Sequence, residues 1–168
     1  MNTMTIGIRK AEPQDAEAIA DVHQQAWRGA YSGIIPHRAL NGMINRRGTQ
    51  WWANAIRRAA TVLVVEIGGS VAGYATIGRN RARELSQQGE IYELYLRPEY
   101  QGIGLGSRLF AAARQRLAES GLAGLVVWAL EENVGALSFY EGAGGRDIAE
   151  GVEIFDHKAV KKVAFVWD

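Results

Sequence analysis

Gly102, Gly104 and Gly106 recur at every second position between a strand-like stretch and an amphipathic run. The stretch before them, Glu90 to Leu96, carries the β-branched and aromatic residues that suit a pleated strand. Pro98 lacks an N–H and ends the ladder. From Leu105 to Glu119, the residues Leu105, Leu109, Phe110, Ala113 and Leu117 share one helical face. The unit reads strand, glycine loop, helix. A helix start leaves N–H groups unpaired and carries partial positive charge, and glycines let a phosphate approach them closely. The loop is therefore a candidate diphosphate cradle. The plainer alternative is a tight turn that uses glycine only for backbone freedom, and on the loop alone the two readings stand level.

Two well-known phosphate motifs do not fit. A P-loop needs a lysine after its glycines, and none follows here; the dinucleotide fingerprint would need glycine where Ser107 stands. Other residues able to do chemistry are the strand carboxylates Glu90 and Glu93, and the pair Asn133 and Tyr140, seven positions apart. Strict alternation puts Glu90 on a face with Tyr92 and Leu94 and turns Glu93 the other way. One extra residue in the strand would swap those faces. Each has an ordinary reading as well: paired strand carboxylates, a helix N-cap for Asn133 and a core ring for Tyr140.

The elements that must position these residues follow from the rest of the 168-residue chain. Ile6 and Ile8 alternate as a first strand, and Pro13 opens a helix whose stripe is Ile19, Val22, Ala26, Trp27 and Ala30. His23 lies beside that stripe, where packing is the favoured role. Tyr31-Ser32-Gly33 breaks the helix, and a second helical region runs from about His37 to Arg58 with an interruption near Gly48. Thr61–Ile67 and Val71–Ile77 read as strands joined by Gly68-Gly69-Ser70, a hairpin signal. Arg79, Arg81 and Arg83 fall in a polar loop, read as solvated, with an anion-binding role as its alternative. Leu125–Leu130 is a continuous apolar run, as in a strand buried on both faces. With Glu90–Leu96 and the helix between, it makes a right-handed βαβ crossover. A helix from Val134 to about Glu141 follows, then strands at Val152–Phe155 and Val160–Trp167 around Asp156-His157-Lys158. The expectation is one α/β domain over 1–168, with a twisted mixed sheet of about six to seven strands flanked by helices.

Composition narrows the function classes. Nineteen basic residues against eighteen acidic ones give no strong field for nucleic acid or an anionic membrane. With no cysteine, disulfides, thiolate metal sites and acyl-cysteine intermediates are excluded. There is no apolar run near the roughly 20 residues of a membrane span and no signal-peptide pattern. A cytoplasmic protein without a metal is expected.

Gln101-Gly102-Ile103-Gly104-Leu105-Gly106 resembles the Gln/Arg-x-x-Gly-x-Gly/Ala signature of the GNAT acyltransferase superfamily. Asn133-x-x-Ala136-x-x-x-Tyr140, placed 32 residues beyond Gln101, is similar to the second signature of that family. The element order matches over essentially the whole chain. The stretch Ala26-Trp27-Arg28-Gly29-Ala30-Tyr31-Ser32-Gly33-Ile34-Ile35-Pro36 resembles a bacterial subgroup whose substrates are mostly undefined. One departure stands out: family members continue Tyr-x-x-x-Gly-Phe, whereas Gly144 is followed here by Gly145 and Arg146.

The resemblance implies a cosubstrate, acetyl-coenzyme A, and an amine acceptor. It implies that Gln101 to Gly106 and Ser107 hold the diphosphate, and that Leu94, Tyr95 and Leu96 pair with the pantetheine arm where the sheet splays. Asn133 is implied to hold that arm, and Tyr140 to be the general acid near the thioester sulfur. A lysine-like amine with pKa about 10.4 must lose a proton before attack, at roughly 4–5 kcal/mol at pH 7, so a base is expected. Counted back from Gln101, Glu90 occupies the register of a base acting through water in several family members, and is chosen over Glu93. A base used elsewhere in the family is replaced here by Trp128, whose indole cannot take the proton. Direct attack in a ternary complex follows as the economical mechanism, and family analogy suggests a homodimer. The Arg79–Arg83 loop is expected to favour an acceptor with a carboxylate or phosphate. The competing classes are a nucleotide-dependent oxidoreductase, which the glycine spacing disfavours, and a non-catalytic acyl-coenzyme A sensor.

Overall fold

The chain runs β1 (Ile6–Lys10), α1 (Ala16–Tyr31), α2 (His37–Arg46), α3 (Thr49–Arg57), β2 (Thr61–Ile67), β3 (Ser70–Arg79), β4 (Gly89–Leu96), α4 (Leu105–Glu119), β5 (Leu125–Leu130), α5 (Val134–Gly142), β6 (Arg146–Phe155) and β7 (Lys158–Trp167). The computed structural model describes residues 4–58 and 60–168, so residues 1–3 and 59 of the expected domain lie outside the described residues. Seven strands form one sheet in the order β1-β2-β3-β4-β5-β7-β6. Every neighbouring pair is antiparallel except β4 and β5, which the α4 crossover makes parallel.

Helices cover both faces. On one, Leu109, Phe110, Ala113 and Leu117 of α4 pack against Leu63, Val65, Ile91 and Val127. On the other, Ile19 and Val22 of α1 and Trp52 of α3 pack against Val62, Val64 and Tyr74. That two-sided burial explains the unbroken apolar run Val62–Val65, whose alternate side chains go to opposite helical layers. Leu109 is fully buried, and a buried leucine contributes about 1.5–3 kcal/mol relative to exposure. α4 is thereby clamped to the sheet, and its N-terminus is held in place.

The two hairpins obey their turn residues. Gly68 and Gly69 both have positive φ in the β2–β3 turn, and Asp156 and His157 do so between β6 and β7. β6 is longer than the expected Val152–Phe155, starting at Arg146. Its exposed edge supplies little apolar signal over its first half, so hydrophobic pattern alone could not find its start. The Gly145 departure has a steric reason: a Cβ there would lie 2.6 Å from the Trp167 ring and 2.9 Å from the Tyr140 carbonyl oxygen.

Candidate active site

β4 and β5 pair at only two positions, Gly89 with Leu125 and Glu90 with Val126. Beyond these, β3 keeps β4 in the sheet as far as Leu96, and β7 keeps β5 as far as Leu130. The two parallel strands therefore diverge into a wedge. A cleft of about 810 Å³ opens there. Its walls are β4 from Tyr92 to Leu96, β5 from Val127 to Ala129, the glycine loop, the first turns of α5 and the end of α1.

At one end of the cleft, Gly102 and Gly104 sit at φ +79° and +89°, the left-handed region that glycine occupies without strain. A Cβ on either would meet nothing within 4 Å, so no protein atom requires the glycines. Among the described residues, no acceptor faces the N–H groups of Gly102 to Ser107, and no side chain caps α4. This open row of donors at a helix N-terminus fits a diphosphate. Gln101 braces the loop, its amide donating to the Leu96 carbonyl at 3.4 Å.

Asn133 caps α5, its Oδ1 accepting from the Ala136 N–H at 3.3 Å, and it also lines the cleft. Both readings of this residue hold together. Tyr140 has its ring in the core against Phe110, Phe139, Phe165 and Trp167. Its residue lines the cleft, yet its hydroxyl finds no hydrogen-bond partner among the described residues. Burial pushes the phenol well above its ordinary range, so it keeps its proton at neutral pH.

The carboxylates depart from strict alternation. Thr76 pairs with Glu93 but Ile77 pairs with Ile91, which leaves Tyr92 as an extra residue in β4. This β-bulge puts Glu93 on the same face as Glu90 and turns Ile91, Leu94 and Leu96 to the α4 side. The Tyr92 ring lies across Gly78, where a Cβ would come within 2.5 Å of the hydroxyl. Glu90 sits at the closed end of the wedge, only 1% exposed, with Arg81 donating Nη2 to its Oε2 at 2.8 Å. It does not line the cleft, whereas Glu93 does. Glu93 is held by Arg47 on Oε1 and by the Tyr74 hydroxyl on Oε2 at 2.9 Å. Behind Tyr74 stands His23, fully buried, its Nδ1 3.0 Å from the same hydroxyl. Burial, then the charge of Arg47, pushes the His23 imidazole down to about 3.

Of the expected cofactor residues, the cleft gathers Leu94, Tyr95, Leu96, Gln101, Gly102, Gly104, Gly106, Ser107, Asn133 and Tyr140. The side chain of Ile103 is exposed and that of Leu105 is buried in the core, so both offer only main-chain N–H groups. None of Arg79, Arg81 and Arg83 lines the cleft, and Arg81 is committed to Glu90 and to the Tyr92 ring. Sequence reasoning gave no site role to Tyr31, whose hydroxyl lies 2.6 Å from that of Tyr95, and did not single out Glu132 at the rim. The unusual stretch Ala26 to Pro36 was the available signal for the first, since Ala26, Gly29, Ala30, Tyr31 and Ile34 form one wall.

The sequence profile of the acetyltransferase (GNAT) family matches residues 18–144. The chain is 30% identical over 162 residues to the uncharacterised N-acetyltransferase YuaI of Bacillus subtilis, covering 96% of this chain and 92% of the relative. It is 26% identical over 138 residues to a spermidine N(1)-acetyltransferase of Thermoplasma acidophilum, covering 82% and 86% of the two chains. In fold it resembles the PaiA N-acetyltransferase of Thermoplasma acidophilum, crystallised with coenzyme A, at TM-score 0.76 and 22% identity over 95% of this chain and 98% of that one.

Proposed function

The chain belongs to the GNAT acetyltransferase family, and on that premise we propose that it transfers the acetyl group of acetyl-coenzyme A directly onto an acceptor amine in a ternary complex. The observation that carries this reading is the wedge between β4 and β5, with unpaired loop N–H groups at one end and Glu93 on its wall. Support for the cosubstrate comes from neighbours of the same fold crystallised with coenzyme A or acetyl-coenzyme A. A relative named for spermidine supports an amine acceptor. The sheet that makes the wedge draws strands from Ile6 to Trp167, which supports one acetyltransferase domain.

Bound acetyl-coenzyme A supplies an activated thioester. The N–H groups of Gly102 to Ser107 bind its diphosphate, and the free edge of β4 at Leu94, Tyr95 and Leu96 aligns the pantetheine arm. Asn133 orients the arm while capping α5. Glu93, rather than Glu90, accepts the proton that the ammonium group must lose, directly or through one water. Tyr140 donates a hydrogen bond to the departing thiolate.

The test is twofold: the Tm shift with acetyl-coenzyme A, and thiol release across a panel of primary amines. A ligand that binds only the folded state raises Tm by mass action. Absence of both the shift and turnover would remove this reading.

A further inference from the structure

The charged residues that line the cleft are Glu93 and Glu132; among the described residues, no lysine, arginine or histidine joins them. The charge of Glu93 is already matched by Arg47. Glu132, in the turn between β5 and α5, forms no ion pair among the described residues. Cations on the neighbouring segments have hydrogen-bond or ion-pair partners of their own and do not line the cleft. Lys158 donates to the Ile34 carbonyl at 2.9 Å, and Arg28 donates to Asn41 at 2.8 Å. Lys161 pairs with Glu131 and Glu150, and Lys162 pairs with Glu153 while its ammonium lies 4.6 Å from the centre of the Trp128 ring. Aromatic rings from Tyr31, Tyr92, Tyr95 and Trp128 complete the walls.

These surroundings discriminate between acceptors by charge. An acceptor with a carboxylate or phosphate beside its amine would enter a cleft with no counter-charge and one unmatched carboxylate, and would be repelled. A second ammonium group would find that carboxylate. We propose that the acceptor is a small amine bearing a second positive charge and no anionic group, with Glu132 as the specificity-determining residue that receives the second ammonium. This rests on the acetyltransferase reading above. It reverses the preference expected from the Arg79–Arg83 loop, whose arginines lie off the cleft.

Three acceptors of equal chain length isolate the charge: 1,4-diaminobutane, n-butylamine and 4-aminobutanoate. Thiol release by the full chain with acetyl-coenzyme A should give kcat/KM falling in that order. In Glu132→Gln, the ratio of diamine to monoamine kcat/KM should fall about fivefold, the factor for one charge pair at about 4 Å in a water-like dielectric. High salt should narrow the wild-type ratio in the same direction. Glu131→Gln, which alters a neighbouring carboxylate outside the cleft lining, should leave the ratio as it is. Preference for 4-aminobutanoate, or an unchanged ratio in Glu132→Gln, overturns the proposal while the acetyltransferase reading stands. An acetyl-coenzyme A Tm shift without turnover of any of the three also overturns it. Absence of both the shift and turnover removes the underlying reading itself.

Discussion

The Tyr74 hydroxyl on β3 donates to Oε2 of Glu93, its diagonal neighbour on β4, at 2.9 Å. Having given its only proton to the carboxylate, the same oxygen must accept from His23 Nδ1 at 3.0 Å. That fixes the neutral imidazole as the Nδ1–H tautomer and leaves Nε2 without a partner. Arg47 takes the other carboxylate oxygen. Groups from α1, β3 and the α2–α3 junction thus hold one side chain at the cleft wall.

Removing the hydroxyl while keeping the ring tests this arrangement. In Tyr74→Phe, kcat should fall about tenfold, as expected when a base loses its orientation. The acetyl-coenzyme A Tm shift should persist, because the loop is untouched. Stability should drop by about 1–3 kcal/mol, since the buried His23 donor loses its acceptor. A normal kcat in a folded variant would mean that Glu93 needs no such support.

His23 makes stability depend on acid. Its folded pKa of about 3 lies below the unfolded value of about 6.5, so between those values the unfolded chain binds one more proton. The contribution is complete above the unfolded value and is lost as pH falls towards 3, with a slope of about 1.4 kcal/mol per pH unit. His23→Asn removes the titration and keeps an amide beside Tyr74. Urea unfolding at pH 6 and pH 5 should show the wild type losing stability faster than the variant by about that slope. Parallel pH curves for the two proteins would refute the assignment.

Much of this was legible in the chain itself. Strand β4, the glycine loop and α4 follow from a periodicity change punctuated by Pro98, Gly102 and Gly104, and the two hairpins follow from their turn residues. Asn133 and Tyr140 both line the cleft, and what singled them out in the chain was their resemblance to a family signature. The choice between Glu90 and Glu93 was not legible, because one extra residue, Tyr92, reverses a two-residue alternation. The trace it leaves is Gly78, whose missing side chain makes room for the Tyr92 ring. Such a contact joins two strands, and no local pattern announces it. The polar chain behind Glu93 was equally hidden, since His23, Arg47 and Tyr74 are distant in sequence and meet only in the folded sheet.

Gly104→Val separates backbone from contact. A Cβ at this position would touch no protein atom within 4 Å, so the cost is the left-handed φ of +89°, about 1–3 kcal/mol for a strained residue. The variant should fold with a lowered Tm and should lose the acetyl-coenzyme A shift, because the new side chain occupies the approach to the N–H row. A full shift would take the loop out of the cofactor site.

Tyr140→Phe keeps the ring packed against Phe110 and Trp167 and removes the hydroxyl. We expect kcat to fall about 10²-fold, the low end of general-acid effects, because a thiolate of pKa about 8.5 leaves with little help. Acetyl-coenzyme A affinity should stay near normal. Loss of affinity with kcat preserved would make Tyr140 a cofactor-holding residue and leave the proton to water.

The measurement that bears most directly on the account is kcat for Glu93→Gln beside Glu90→Gln, at saturating acetyl-coenzyme A and a common acceptor amine. Glu93 lines the cleft, while Glu90 is buried against Arg81 at the closed end of the wedge. The account predicts a loss of about 10²–10⁴ in Glu93→Gln and a kcat within about twofold of wild type in Glu90→Gln, whose side chain is remote from the reacting groups. Equal losses in the two variants, or the larger loss in Glu90→Gln, would contradict it.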